Sequence, residues 1–146
     1  MKKYQINDPW DWVTHFEDEI AKYTGYRYGI ACDSNSNAIR LCLHYLGIKD
    51  TEIEIRNTSI IDAATAFHKG MGRGLEDKFM ILSFHFKKIL NIGQGGMILT
   101  NRTDFNEWAR PMIYDGRHKD RMYKDDEFEC VGWHMYMGPE QAKKGL

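Results

Sequence analysis

Apolar residues recur at helical spacing near the start of the chain, where Trp10, Val13, Phe16, Ile20 and Tyr23 mark one stripe of an amphipathic helix. Asp8 suits the cap of that helix, Pro9 its first position and Asp11 its positive end, and Gly25 supplies a left-handed stop. His15 lies off the stripe and is expected to face solvent. Tyr28–Cys32 is a short apolar run of strand length, and 38–46 an apolar helix ended by Gly47. Ile53 and Ile55 alternate with polar residues as in a strand, and 59–62 suits another. The runs 79–82 and 97–99 have the length of buried strands, although periodicity alone does not separate them from buried helix. Thr103 or Asn101 then caps a helix carrying Phe105, Trp108 and Ala109, which Pro111 ends or kinks, and Pro139 stands near the start of a last helix.

Composition narrows this picture. With 146 residues, 42% of them hydrophobic, the expectation is one domain, 1–146, with an ordinary core. A formal net charge of -1 gives no electrostatic case for nucleic acid or an anionic membrane. No run has the length of a membrane span and MKKYQINDPW lacks the apolar core of a signal peptide, so a cytoplasmic location is expected. Cys32, Cys42 and Cys130 show neither CxxC nor zinc-ligand spacing; no metal site is expected, and the thiols read as reduced packing residues.

Candidate chemistry sits at strand ends. The turn 33–37, DSNSN, is rich in capping residues and opens a helix, an arrangement that offers unpaired N–H groups and hydroxyls to an anion; helix capping alone also explains it. Asp62 ends a short strand, where a carboxylate serves as a helix cap, a salt-bridge partner or a ligand group. After 79–82, a hydroxyl, an imidazole and amines follow one another as Ser83, His85, Lys87 and Lys88, before a glycine-rich turn. The run 67–79, with three glycines, lacks the GxxxxGK[ST] phosphate loop and reads as a flexible loop with His68 and Lys69 in solvent. The mixed charges of 115–129 read as a mobile surface loop.

Taken together, these segments resemble the DegT/DnrJ/EryC1/StrS sugar aminotransferases, pyridoxal-phosphate enzymes of the aspartate aminotransferase fold. The pattern SFHxxKxL followed by a glycine pair is met by Ser83, Phe84, His85, Lys88, Leu90, Gly95 and Gly96, and an upstream DAA by Asp62, Ala63 and Ala64. The SGTxAL turn of the family corresponds to Ser34, Asn35, Ser36, Asn37, Ala38 and Ile39; Ser36 keeps the hydroxyl of the threonine and Asn35 replaces the glycine. The resemblance implies an α/β fold, a partial large domain of the pyridoxal-phosphate transferase type with its sheet flanked by helices and the small C-terminal domain absent. It implies that Lys88, rather than Lys87, forms the Schiff base and moves the proton. Asp62 would then hold the proton on the pyridine nitrogen, and Ser36 and Ser83 would bind phosphate with the amides near Asn35. His85 belongs to the pattern, with packing or phosphate-side hydrogen bonding as its implied part.

The same resemblance marks departures. TEIEIRNTSIIDAA passes from the first α/β unit almost directly to the DAA strand, where relatives carry further units, including the segment whose aromatic residue stacks on the ring. In GWHMYMGPEQA, His134 takes the place of an asparagine that reaches the phosphate bound by the other subunit, and Tyr136 the place of an arginine; Gln94 stands where many relatives have glutamate. The implied reaction moves an amino group from an amino acid to a keto-sugar nucleotide. The alternative is an inactive, reduced relative that serves as a binding or structural subunit. A sheet deprived of neighbouring strands exposes apolar edges, so a homodimer or higher homo-oligomer is expected.

Overall fold

The computed structural model describes residues 4–49 and 58–146. Among the described residues the elements in chain order are α1 (Asp11–Thr24), β1 (Tyr28–Cys32), α2 (Asn35–Tyr45), β2 (Ile60–Asp62), β3 (Phe79–Ser83), β4 (Gly96–Thr100), α3 (Thr103–Ile113) and α4 (Pro139–Gly145), with a 3-10 turn over Tyr123–Asp125. The expected strand at Ile53 and Ile55 lies outside the described residues. No helix among the described residues is long and apolar enough to cross a membrane.

The four strands among the described residues form one mixed sheet in the order β1-β4-β3-β2. β2 and β3 run parallel, and β4 is antiparallel to both β1 and β3. β1, β2 and β3 therefore share a direction, and their carboxyl ends emerge on one side together with the start of β4. Successive strand residues point to opposite faces, and here both faces are covered. On one, α1 and α4 bring Val13, Phe16, Ile20 and Ala142 against Ala31, Met80, Leu82, Met97 and Leu99. On the other, Leu41 and Cys42 of α2 with Phe105 and Ala109 of α3 pack on Ile30, Cys32, Ile60, Phe79, Ile81 and Ile98. Double coverage is why β3 and β4 read as unbroken apolar runs and not as alternation. Fully burying a side chain such as Phe16 or Leu41 stabilises the fold by roughly 1.5–3 kcal/mol.

Element ends differ from the sequence expectations in specific ways. α1 starts later than Pro9: the side chain of Asp8 accepts from Trp10 N, and the side chain of Asp11 accepts from Asn7 N and Asp8 N. Gly25 stops the helix at φ 90, as expected, with its N–H on Ala21 O. Tyr23 is off the buried stripe, exposed and stacked on Phe67. α2 begins three residues earlier than its apolar pattern, because Ser34 accepts from Asn37 N and caps polar residues into the first turn. In α3 neither Asn101 nor Thr103 caps; Arg102 precedes the first turn without a side-chain cap, its guanidinium pairing with Asp104 at 2.9 Å, and Pro111 lies inside the last turn. The glycine-rich run is pinned to the end of α1, with Gly70 N on Tyr23 O and Gly72 N on Thr24 O, and Gly72 seated against the ring of Tyr26.

One buried polar residue in α1 organises the outer edge of β1. Glu17, 4% exposed, accepts from Ala31 N at 2.7 Å and pairs with Arg110 at 2.7 Å, while Arg110 donates to Gly29 O at 3.0 Å. A carboxylate and a guanidinium thus satisfy edge groups that would otherwise invite another strand.

Candidate active site at the carboxyl ends of the strands

Cys32, Gly96 and Ser83 lie in one cross-strand row, Gly96 pairing with Cys32 on one side and Ser83 on the other. Gly96 has no side chain, and a Cβ there would stand 2.5 Å from Asn35 N and Ser34 C. That missing atom allows the first turn of α2 to rest directly on the sheet end. Asp62, in register with Ile81 two residues before Ser83, projects to the same face as α2. Asn35 Nδ2 donates to Asp62 Oδ1 at 3.2 Å, joining two segments 27 residues apart. Ala64 N donates to the same oxygen at 3.0 Å. The structure therefore brings Asn35, Ser36, Asp62 and Ser83 to one end of the sheet and one face of it.

The donors at this end are largely free. Asn35 and Ser36 open α2, so their amides have no helical acceptor. Among the described residues, the hydroxyls of Ser36 and Ser83 make no hydrogen bond; Ser36 is exposed and Ser83 half-buried. Asp33 is occupied, by Asn37 Nδ2 at 2.9 Å and 3.0 Å and by the Ser34 hydroxyl at 3.1 Å. Arg40 follows on the same helix and donates to Asn37 Oδ1.

Beyond Ser83 the chain forms a loop held at its neck by Phe84 N on Gly95 O and Phe86 N on Gly93 O. His85 pairs with Gly93 as an isolated bridge; its ring is exposed and lies 4.2 Å from that of Phe86. Lys88 N on His85 O closes a turn at the tip. The two lysines differ. Lys87 is exposed and sets its ammonium 5.5 Å over Phe86, whereas Lys88 is half-buried and its amine makes no hydrogen bond or ion pair among the described residues. No bond joins Lys88 to Asp62 either. The crevice between 64–67 and 89–90, lined by Leu82, Ser83 and Phe84, holds about 10 Å³, room for about one water and for no ring.

His134 is placed by the segment that follows α3. Asp33 N donates to Met135 O at 2.8 Å and Cys32 bridges Tyr136, so this segment runs along the outer edge of β1 beside the α2 turn. The ring of His134 is exposed, 2.9 Å from Asp115 Oδ2 through Nδ1 and 4.4 Å from Tyr136. Asp115, at φ 58, is the non-glycine residue of the described chain that takes a left-handed conformation.

Other groups are spoken for. Cys32 and Cys42 are fully buried free thiols, and burial pushes both well above the ordinary thiol range, with the Asp33 carboxylate adding to the effect at Cys32. A cavity of about 300 Å³ opens at the far edge of β1 between Trp10, Tyr114 and Tyr136. Glu17 and Arg110 in its lining already neutralise each other, and it contains none of Asn35, Ser36, Asp62, Ser83, His85, Lys88 or His134. Sequence reading had no access to the Glu17–Arg110 pair or the Asp115–His134 contact, whose members are 93 and 19 residues apart. The one available signal was Glu17, an acid inside an apolar stripe.

The donor set at the strand ends suits the phosphate and ring nitrogen of a phosphorylated pyridine aldehyde such as pyridoxal phosphate, with free hydroxyls and amides for the one and a carboxylate for the other, and an unpartnered amine, that of Lys88, lies on the loop that follows Ser83. The sequence profile of the DegT/DnrJ/EryC1/StrS aminotransferase family matches residues 2–68 and 58–146. A comparison with curated protein sequences finds no match. Among solved structures, NtdA from Bacillus subtilis with bound cofactor PMP aligns at TM-score 0.71 and 17% identity, over 92% of this chain and 46% of that one. The 3-amino-5-hydroxybenzoic acid (AHBA) synthase aligns at 0.69 and 18%, over 92% and 54%. The S. venezuelae protein DesV, in complex with a ketimine intermediate, aligns at 0.66 and 15%, over 99% and 57%. The chain thus spans about half the length of these structures, and the shared architecture is that of a partial pyridoxal-phosphate transferase fold.

Proposed function

The chain belongs to the DegT/DnrJ/EryC1/StrS aminotransferase family, and on that premise we propose that it binds pyridoxal phosphate at the carboxyl ends of β1, β2 and β3 and transfers an amino group from an amino acid to a keto-sugar nucleotide. The observation that carries the reading is the convergence of three motif segments: the α2 turn, Asp62 and Ser83 meet at one sheet end, with the loop of Lys88 leaving directly from it. Open α/β sheets bind ligands at this end.

Pyridoxal phosphate, when bound, supplies an electron sink for the carbanion formed at the donor's α-carbon. The remaining work belongs to the chain. Ser36, Ser83 and the amides of Asn35 and Ser36 hold the phosphate, where the positive end of α2 favours a dianion. Asp62 keeps a proton on the ring nitrogen through its open oxygen. Lys88 would hold the cofactor through its amine and would carry the proton away from the α-carbon. His85 borders the phosphate side of the loop. His134, oriented by Asp115, lends its ring to the phosphate of a neighbouring subunit, so the working unit is a homodimer or larger homo-oligomer.

A second reading, a binding or structural subunit without turnover, draws support from the connection after α2. β2 has three residues and follows Tyr45 after a short link that leaves no length for further α/β units. Half-reactions separate the two. Incubation of the cofactor-loaded chain with glutamate should convert the bound aldehyde to the amine form, visible as a change in absorbance, and Lys88→Ala should abolish the conversion. A loaded chain that binds glutamate and leaves the spectrum unchanged would favour the second reading.

A further inference from the structure

We infer that Asn35 is a positioning residue that fixes the Asp62 carboxylate with one oxygen bound and the other open. The inference rests on the reading of Asp62 as the partner of the cofactor's ring nitrogen. Asp62 ends a three-residue strand, the outermost on its side of the sheet among the described residues, and is exposed, a setting in which an aspartate side chain samples several rotamers. Two donors restrain it, and both reach the same atom. Ala64 N approaches Oδ1 at 3.0 Å from the strand's own continuation, and Asn35 Nδ2 approaches it at 3.2 Å from α2. Among the described residues no donor reaches Oδ2. Two hydrogen bonds from different directions onto one oxygen set the carboxylate plane and leave a single acceptor for a ring N–H.

Asn35 is itself held in place. It is the first residue of α2, the turn is capped by Ser34 on Asn37 N at 3.2 Å, and its backbone lies against Gly96. One residue therefore faces two parts of a single ligand. Its amide N–H lies in the phosphate-binding turn and its side chain orients the carboxylate that meets the ring. The side chain acts through Asp62 and touches no reacting atom.

The test uses the full chain, titrated with pyridoxal phosphate and followed by visible absorbance, for the parent, Asn35→Ala and Asn35→Asp. Loss of one positioning hydrogen bond should weaken binding roughly 3–10-fold in Asn35→Ala. Asn35→Asp sets a second carboxylate against Asp62 and should weaken it further. The pH at which the visible band of the bound cofactor changes should also move in Asn35→Ala, since the carboxylate that keeps the ring proton is no longer fixed. A purely structural role for Asn35 would leave that pH where it is. Without cofactor, the Asn35 side-chain amide resonances should shift in Asp62→Ala; unmoved resonances would overturn the contact itself. Binding and pH profile unchanged in Asn35→Ala, in a variant with parental circular dichroism, would overturn the positioning role alone. Failure of the parent chain to bind the cofactor would instead overturn the functional reading, and this role with it.

Discussion

Gly96→Ala connects the packing of the sheet to the geometry of the site. The added Cβ would meet Asn35 N and Ser34 C at 2.5 Å and Ser34 O at 2.6 Å, all backbone atoms with no rotamer to turn away. Ordinary contact begins at 3.4 Å, so the start of α2 would have to retreat by nearly an ångström. Overpacking of this kind costs about 1–3 kcal/mol. The opposing gain, from reducing the freedom of the unfolded chain, is about 0.4–1 kcal/mol. Steric conflict wins, and a net loss of about 1–2 kcal/mol is expected. For a chain of this size that lowers the thermal midpoint by roughly 3–8 °C. The same retreat stretches the 3.2 Å bond between Asn35 and Asp62, so affinity for pyridoxal phosphate should fall together with stability. Urea titration measures the first effect and visible absorbance the second. Gly47→Ala is the control: φ is 68 there and nothing lies within 4 Å of the added atom, so it should cost about 1 kcal/mol through backbone strain and leave cofactor affinity alone. A Gly96→Ala protein as stable as the parent, with unaltered affinity, would refute the claim that this glycine seats α2 on the sheet.

Three further outcomes are expected. Glu17→Ala leaves Arg110 without its counter-charge and Ala31 N without an acceptor; because the Arg110 side chain is 31% exposed, the loss should fall near the lower end of the range for a broken buried pair, about 3 kcal/mol by urea titration, and a loss below about 1 kcal/mol would contradict a structural role for the pair. Burial pushes the Tyr26 phenol up to about 12 from 10.0, so the folded state holds that proton more tightly than the unfolded chain; stability should be intact below pH 10 and fall as pH rises toward 12, and Tyr26→Phe, at the cost of the bond to Leu75 O, should show a smaller alkaline loss in thermal midpoints measured across pH. Phe86 and Ile89 are 57% and 67% exposed on the loop that carries Lys88, and the proposed homo-oligomer should cover them; sedimentation should show association, and a monomer across a wide concentration range would count against it.

How far the sequence spoke for the fold varied by element. Tyr28–Cys32 was legible residue for residue, since a strand buried on both faces leaves no polar position to blur its ends. The start of α2 was not, because its first turn is polar and is held by a cap, not by an apolar face. Tyr23 fitted the spacing of α1 but stands where the stripe runs out over Phe67, and an amphipathic ring tolerates either side. Glu17 could not be read as buried without its partner on α3, supplied by the chain 93 residues later. At the site, motif residues were recognisable one by one, and the register of β2 with β3 put Asp62 and Ser83 on one face, as parallel neighbours require. The contact between Asn35 and Asp62 depends on the close approach permitted by Gly96, which no local pattern encodes.

The central claim is that the amine of Lys88 and the carboxylate of Asp62 serve one bound ring. Its most direct test is to load the chain with pyridoxal phosphate, reduce it with borohydride and map the modified peptide by mass. The account predicts one adduct, on Lys88, that Asp62→Ala weakens and Lys87→Ala leaves in place. An adduct spread over surface lysines, or one that forms equally well without Asp62, would contradict it.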